Sequence, residues 1–575
     1  MSEGYGVTAI SLVVALTVII GAFGLRISRT TSDFYVASRT VSPLWNASAI
    51  GGEYLSAASF LGVAGLILAY GADLLWLPVG FTGGYLIMLV LVAAPLRRSG
   101  AYTLPDFTEL RLNSGRLRAL ASVLVVGICW LYLMPQFQGA GLTVRTVTGA
   151  PLWVGEVIVA IVVITTVAAG GMRSITFVQA FQYWLKVTAI LVPAIFLAIS
   201  WHSDGSPSLS RPTHPRFAEN TVVTAEHTLH FTVDQPVVPR VTGTLDGLRY
   251  VGGAAPLAAG PHTAAEGTRL DFAAGSPVPV DSDLPATTDE AWSKPMSGGR
   301  EHSLYTTYSL IIATMLGTMG LPHILVRFYT NPDGGAARRT TLAVLALLGL
   351  FYLGPSLFGA LGRIYAPDLL MTGRVDSVVL ELPSRMIGGV GGDLISALVT
   401  AGAFAAFLST AAGLTMSAAA VLSQDVFRSG RVRTFQLAAM PACLVPFLFA
   451  LSAGGLSVGD AVSLAFAVAA STFCPMLVLG VWWRRLSTVG AAAGMVVGGL
   501  SAGAAVLATI IGGPYDGWTG ALLAQPAAIT VPAAFAVMIV VSLLTPDHIP
   551  PNIHRIMVRL HVPESLPLDR GDFRR

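Results

Sequence analysis

Residues 46–65 read NASAIGGEYLSAASFLGVAG, and residues 313–330 read ATMLGTMGLPHILVRFYT. Each lies in an apolar run, and each is interrupted near its middle. The first carries Gly51-Gly52 beside Glu53, followed by Ser56 and Ser59; the second carries Gly317, Gly320, Pro322 and His323. A helix in lipid must satisfy its own backbone groups, so an interruption at that depth lines a cavity or is buried in protein. Unwinding frees carbonyls that can hold a small cation and N–H groups that can hold an anion.

Working outward, the chain of 575 residues is 54% hydrophobic and 11% charged, with a mean hydropathy of +0.69. Soluble domains carry about 25% charged residues, so a string of soluble domains is excluded. A disordered or nucleic-acid-binding chain is excluded for the same reason. Apolar runs of about 20 residues mark membrane-spanning helices and not the alternating segments of a β-barrel. Thirteen spans are expected, at 6–25, 43–70, 73–96, 119–146, 152–169, 176–200, 304–328, 340–362, 393–422, 434–453, 457–482, 487–512 and 525–545. The fold class is therefore an all-α polytopic membrane protein.

With span 1 peripheral, the two broken helices open two sets of five, spans 2–6 and 7–11. Five is odd, so the second set is inverted relative to the first. An inverted repeat whose first helices are broken points to a secondary transporter with a site near the midplane. The expected organisation is a peripheral helix and inner loop (1–42), a first repeat (43–200), an insert (201–302), a second repeat (303–484), two peripheral helices (485–545) and a tail (546–575).

Charge placement sets the expected orientation. With the N-terminus outside, 22 of the 34 Lys and Arg residues fall in inner segments, and the short outer loops hold Arg363, Arg374 and Arg385 alone. The positive-inside rule then places the N-terminus outside and the C-terminus in the cytoplasm of an integral plasma-membrane protein, a bacterial inner or cell membrane. An odd span count agrees. The first span lacks a basic leader and is followed by Arg26 and Arg29, so it reads as a retained helix. The insert holds eleven prolines, twelve acidic and seven basic residues. Its stretch 227–250, HTLHFTVDQPVVPRVTGTLDGLRY, alternates apolar and polar residues and predicts a few short strands in an extracytoplasmic module.

In span 9, Gly402, Ala406, Ser409, Thr410, Gly413 and Ser417 follow helical spacing. Such a small-residue face permits close helix approach. The adjacent hydroxyls of Ser409 and Thr410, set opposite freed carbonyls of span 2, would complete an oxygen cage for a hard cation. Glu53 is an acid inside a span and therefore a coupling or gating candidate, or a hydrogen-bonded structural acid. His323 has two readings as well, packing with a hydrogen bond to freed backbone or a pH-sensitive role. Lys186 reads as snorkelling to the inner face or pairing with a carboxylate, and Arg327 as a topology anchor. Asp106, Asp425 and Arg428 read as solvated pairs at helix ends. Cys129, Cys443 and Cys474 sit in apolar stretches with no metal-ligand spacing.

Longer stretches carry a resemblance. SDFYVASRTVSPLWNASAIGGEYLSAASFLG (32–62), YTLPDF (102–107), QGAG (138–141), GGMRSITFVQAFQYWLK (170–186), GLPHILVRFYT (320–330), AAGLTMSAAAVLSQDVF (411–427) and AFAVAASTFCPMLVLGVWWRRLSTVGA (465–491) resemble the sodium:solute symporter family, in its cation–acetate (monocarboxylate) branch. The resemblance implies a leucine-transporter-like 5+5 inverted-repeat core and sodium-coupled uptake of acetate or another short monocarboxylate by alternating access. By motif it places the sodium ligands at the carbonyls of Gly52 and Leu55 and at Ala406, Ser409 and Thr410. It places the substrate near Ser56, Ser59, Gln136, Gln138, Gly317, Thr318 and Gly320. Glu53 stands where the branch often carries Asp, and the Ser409-Thr410 hydroxyl pair favours sodium over proton.

The implied partners are a small carboxylate, sodium and the lipid bilayer, with no nucleic acid, no organic cofactor and no evident obligatory protein partner. Symport of an amino acid, sugar or vitamin is the alternative, and a receptor on the same fold is a further one. A channel would need a filter motif. An enzyme would need a nucleophile–base pair, a metal-ligand cluster or a phosphate loop. Neither pattern is found in the sequence.

Overall fold

A computed structural model describes residues 3–25, 41–297, 301–429, 431–452, 458–512, 515–564 and 566. Residues 32–40 of the quoted motif and the arginines at 26, 29, 39, 570, 574 and 575 lie outside the described residues.

The membrane part is built from α1 (Glu3–Leu25), α2 (Pro43–Tyr54), α3 (Val63–Tyr70), α4 (Trp76–Leu91), α5 (Gly115–Thr148), α6 (Leu152–Ser203), α7 (Ser303–Thr318), α8 (Pro322–Phe328), α9 (Gly334–Tyr365), α10 (Gly389–Val421), α11 (Val432–Ser452), α12 (Val458–Trp482), α13 (Thr488–Gly512) and α14 (Ala527–Leu544). A short amphipathic helix, α15 (Ile553–His561), follows. Eleven runs among the described residues are long and apolar enough to cross a membrane. The expectation was thirteen separate spans. Two of the eleven runs carry an internal break instead of a connecting loop. Gly71, at φ 71°, opens a 3-10 turn between α3 and α4. Gly171, at φ 59° and ψ −169°, interrupts α6. The 52 residues of α6 would reach about 78 Å as one straight helix, far beyond a hydrocarbon core of about 30 Å.

The two broken helices differ in detail. Between α2 and α3, Leu55 leaves helical geometry at ψ 83°, and a π-helical turn, Ala58–Gly62, resumes the path. Between α7 and α8, Leu321 is extended at φ −73° and ψ 114°, and Pro322 restarts the helix where its missing N–H costs nothing. Glycines let neighbouring helices close on these breaks. A Cβ at Gly52 would stand 2.1 Å from the Gln179 carbonyl oxygen of α6, and one at Gly320 would stand 2.3 Å from the Ala469 oxygen of α12. In α10 the small-residue face packs against α6 and α2, and a Cβ at Gly413 would lie 1.9 Å from Glu53 Oε1.

The insert is more regular than its sequence indicates. Seven strands, β1 (Thr221–Thr224), β2 (Leu229–Val233), β3 (Arg240–Leu245), β4 (Leu248–Ala254), β5 (Gly260–Ala264), β6 (Arg269–Phe272) and β7 (Val280–Asp281), form one antiparallel sheet in the order β1-β6-β3-β5-β2-β7, with β4 on β3. Asp246 and Gly247, both at positive φ, make the tight β3–β4 turn that an Asp-Gly pair favours. Its own core gathers Phe217, Phe231, Val241, Leu270 and Phe272. Glu226 ties the sheet to the helices through Arg145 at 2.6 Å and Arg374 at 2.8 Å.

Candidate functional site

The break after α2 exposes backbone groups that must find partners elsewhere. Gln136 on α5 supplies one, its Oε1 accepting from Ala57 N at 2.9 Å. Tyr132, one turn earlier, donates its hydroxyl to Ser56 Oγ at 3.2 Å. Ser59 Oγ and Tyr352 OH of α9 are hydrogen-bonded at 2.9 Å. Tyr54 OH meets Thr318 Oγ1 of α7 at 2.8 Å, which joins the two broken helices directly. Rings of Phe81, Tyr85 and Phe466 close around Tyr54, with centroids 4.9 to 6.2 Å away. Ser56, Ser59, Gln136, Thr318 and His323 are all at most 2% exposed, so the site is shut off from solvent.

The carbonyls of Gly52 and Leu55 point to the amine of Lys186. Its Nζ donates to Gly52 O, to Leu55 O at 2.7 Å and to Ser409 Oγ at 2.5 Å. Lys186 is fully buried and makes no excursion toward a membrane face. The sequence expectation of snorkelling is corrected here: its acceptors are two main-chain oxygens and a hydroxyl. Ala406 and Thr410 stand one bond further out. Ala406 O accepts from Ser409 Oγ at 3.0 Å, and Thr410 Oγ1 donates to Glu53 O at 2.6 Å.

Glu53 has a direct charge partner that the sequence did not reveal. Arg327 of α8, read from sequence as a topology anchor, is 1% exposed, and its Nε lies 2.6 Å from Glu53 Oε2. The guanidinium also donates to Thr176 Oγ1 at 2.7 Å and to Gln179 Oε1, while Gln179 Nε2 donates to Ser409 O at 2.8 Å. One connected network therefore links α2, α6, α8 and α10. Both ring nitrogens of His323 lack a hydrogen-bond partner among the described residues, as does Tyr85 OH, so the expected bond from His323 to freed backbone is not made. The His323 ring stands edge-on to Tyr132 at 5.3 Å.

Of the seven expected substrate positions, Ser56, Ser59, Gln136 and Thr318 gather at the breaks. Gly317 and Gly320 serve close packing against Phe466 and Ala469 of α12. Gln138, two residues after Gln136, lies on the other side of α5, since two helical steps turn about 200°. Tyr54, Tyr85, Tyr132 and Tyr352 were missed. A tyrosine hydroxyl in an apolar span calls for a polar partner, and that was the available signal; Tyr54, Tyr132 and Tyr352 have one, and Tyr85 has none among the described residues. Asp106 and Asp425 share Arg118 as their cation, at 2.7 and 2.6 Å, and this replaces the expected pairing with Arg428.

The family model for the sodium:solute symporter family matches residues 34–212 and 285–498. The chain belongs to the sodium:solute symporter family. The unmatched stretch between the two blocks contains the seven-stranded sheet. Membership implies coupling to sodium and makes the protein a transporter and not an enzyme. The chain is 29% identical over 544 residues to an uncharacterized symporter of Bacillus subtilis, covering 91% of each. It is 31% identical to an uncharacterized symporter of Cupriavidus necator, over 90% of this chain and 88% of that protein. It is 29% identical to a monocarboxylic acid transporter of Corynebacterium glutamicum, over 93% and 91% respectively. Among solved structures, a Na+-coupled sialic acid symporter in its substrate-bound outward-open state superposes with a TM-score of 0.59 at 13% identity, covering 94% of this chain and 98% of that one. Mhp1, a nucleobase-cation-symport-1 family transporter, superposes in a closed conformation with a TM-score of 0.50 at 14% identity, over 92% and 98%. These likenesses make the fold leucine-transporter-like.

Proposed function

We propose that this symporter takes up a short monocarboxylate, acetate or a close homologue, by alternating access between the two broken helices. The observation that carries the reading is the sum of buried charge. Glu53, Lys186 and Arg327 form one cluster at the breaks, one anion against two cations, all at most 1% exposed. Charge inside a membrane is costly unless compensated. A carboxylate solute supplies the missing negative charge, whereas a zwitterion or a sugar does not. The N–H of a neutral His323 ring and the hydroxyl of Tyr85, both unmet among the described residues, are donors of the kind that orient a carboxylate. A 29% identical relative is named a monocarboxylic acid transporter.

In this reading the Glu53–Arg327 pair fastens α2 to α8 and closes the path on their side. Opening that path separates the pair, and a bound solute offsets the exposed charge. The positive-inside count puts this side toward the cytoplasm. The test is uptake of labelled acetate into proteoliposomes under an imposed sodium gradient and, separately, a proton gradient. Acetate should accumulate, with propionate and pyruvate competing and proline not. Accumulation of proline, with acetate neither transported nor competing, would overturn the substrate class.

A further inference from the structure

We infer that the ammonium of Lys186 is the resident cation of the cage formed by Gly52, Leu55 and Ser409, and that sodium does not bind between the broken helix and α10. Three acceptors surround Nζ, and an ammonium has three N–H groups. The acceptor roles are fixed by the surroundings. Two of the oxygens are carbonyls, which only accept. The third, Ser409 Oγ, commits its own proton to Ala406 O at 3.0 Å. A neutral amine, with two N–H groups and a lone pair, would leave one oxygen facing another electron pair. The site is therefore built for the charged form.

A small hard cation would seek these same oxygens. None is left for it, and it would meet a like charge at contact distance. The lysine is held in place from its own helix. Gln179 and Lys186 are seven residues apart, two turns along one face of α6. The Gln179 carbonyl presses on Gly52 so closely that a Cβ there would lie 2.1 Å away. The side-chain amide of Gln179 donates to Ser409 O at 2.8 Å. Main chain and side chain thus hold this face of α6 against both walls of the cage. Lys186 acts as a positioning residue that fastens α6 to the α2 break and to α10. Any sodium that drives transport binds elsewhere. This inference rests on the symporter reading for its consequence and on the geometry alone for its content.

Hydrogen exchange of peptides covering residues 46–62 and 402–414 tests it, on the purified full chain in sodium chloride and in choline chloride. Wild-type exchange should agree between the two salts within about twofold. Lys186→Ala should exchange about tenfold faster in choline and be slowed again by sodium, which enters the vacated cage; a purely structural lysine would not confer that sodium response. A wild-type slowing of about tenfold on adding sodium, lost in Ser409→Ala, would overturn the inference. That comparison does not use Lys186→Ala and stands if that variant fails to fold. Failure of the symporter reading shows separately, as absence of acetate uptake under every gradient, and leaves the exchange result untouched.

Discussion

Removing one charge at a time from the buried cluster separates an electrostatic role from a structural one. Arg327→Met takes the cluster of Glu53, Lys186 and Arg327 from a net charge of +1 to zero, and Glu53→Gln takes it to +2. For a solute carboxylate about 8 Å from the altered group, at an effective dielectric of about 20, one unit charge contributes about 2 kcal/mol, a change of about 30-fold in affinity. Arg327→Met should therefore weaken acetate binding about 30-fold, and Glu53→Gln should strengthen it by a similar factor. Both should lower stability, because each strands a buried partner at a cost of about 3–5 kcal/mol. Arg327→Met also leaves Thr176 and Gln179 without their donor. Equilibrium binding of labelled acetate in detergent, at a temperature where each variant is folded, gives the affinities, and thermal unfolding gives the stabilities. Stability should move in one direction and affinity in two. If both variants weaken binding by similar factors, the cluster acts as a scaffold and the charge argument fails.

Gly413→Ala puts a methyl 1.9 Å from Glu53 Oε1; it should push the carboxylate off Arg327 and lower the unfolding temperature, and uptake should fall with it. Gly52→Ala meets main chain at 2.1 Å and cannot relax by a rotamer change, so it should cost about 1–3 kcal/mol or more and abolish uptake. Asp376, in the turn that accepts from Val458 N at 3.0 Å, has its carboxyl pushed up to about 6 by burial, with the charge of Asp460 adding to the effect. Its folded value lies above its unfolded one, so its contribution is full below the unfolded value and is lost as pH rises through about 6. Asp376→Asn keeps an acceptor and should flatten the fall in unfolding temperature between pH 4.5 and 7.5, worth about 2–3 kcal/mol. Replacing residues 213–284 by a short linker should leave helical circular dichroism and acetate uptake intact, since the sheet has its own core; loss of uptake with the fold retained would show that the sheet takes part in transport.

The two breaks were legible because their causes are local. Glycines, Pro322 and hydroxyls crowded into one short stretch of an apolar run weaken the helix there. The carbonyls of Gly52 and Leu55 and the hydroxyl of Ser409 were named through the family resemblance and not by any local rule, and the amine of Lys186 stands among them. Other features were hidden by their neighbours in the chain. The alternation marking strands covers β2 to β4, but the later strands run through glycine- and proline-rich stretches where it fades. The interruption of α6 at Gly171 was not among the hidden features: it falls in the gap between the expected spans 152–169 and 176–200, and only the passage from one limb to the next without a connecting loop is new. Arg327 sits near the end of an apolar run, where an arginine reads as an anchor.

Hydropathy, helix breakers and the placement of arginines depend on residues close in the chain, and they determined that this is a membrane protein with two interrupted helices and a small-residue face between them. Which charged groups meet depends on how those helices dock. Lys186 reaches carbonyls 131 and 134 positions away and a hydroxyl 223 away, and Arg327 reaches an acid 274 positions away. No local rule encodes such separations. Once the helices pack, each buried donor must find its acceptor inside the bundle because the lipid offers none, and that requirement, met only in three dimensions, decides what the cage contains.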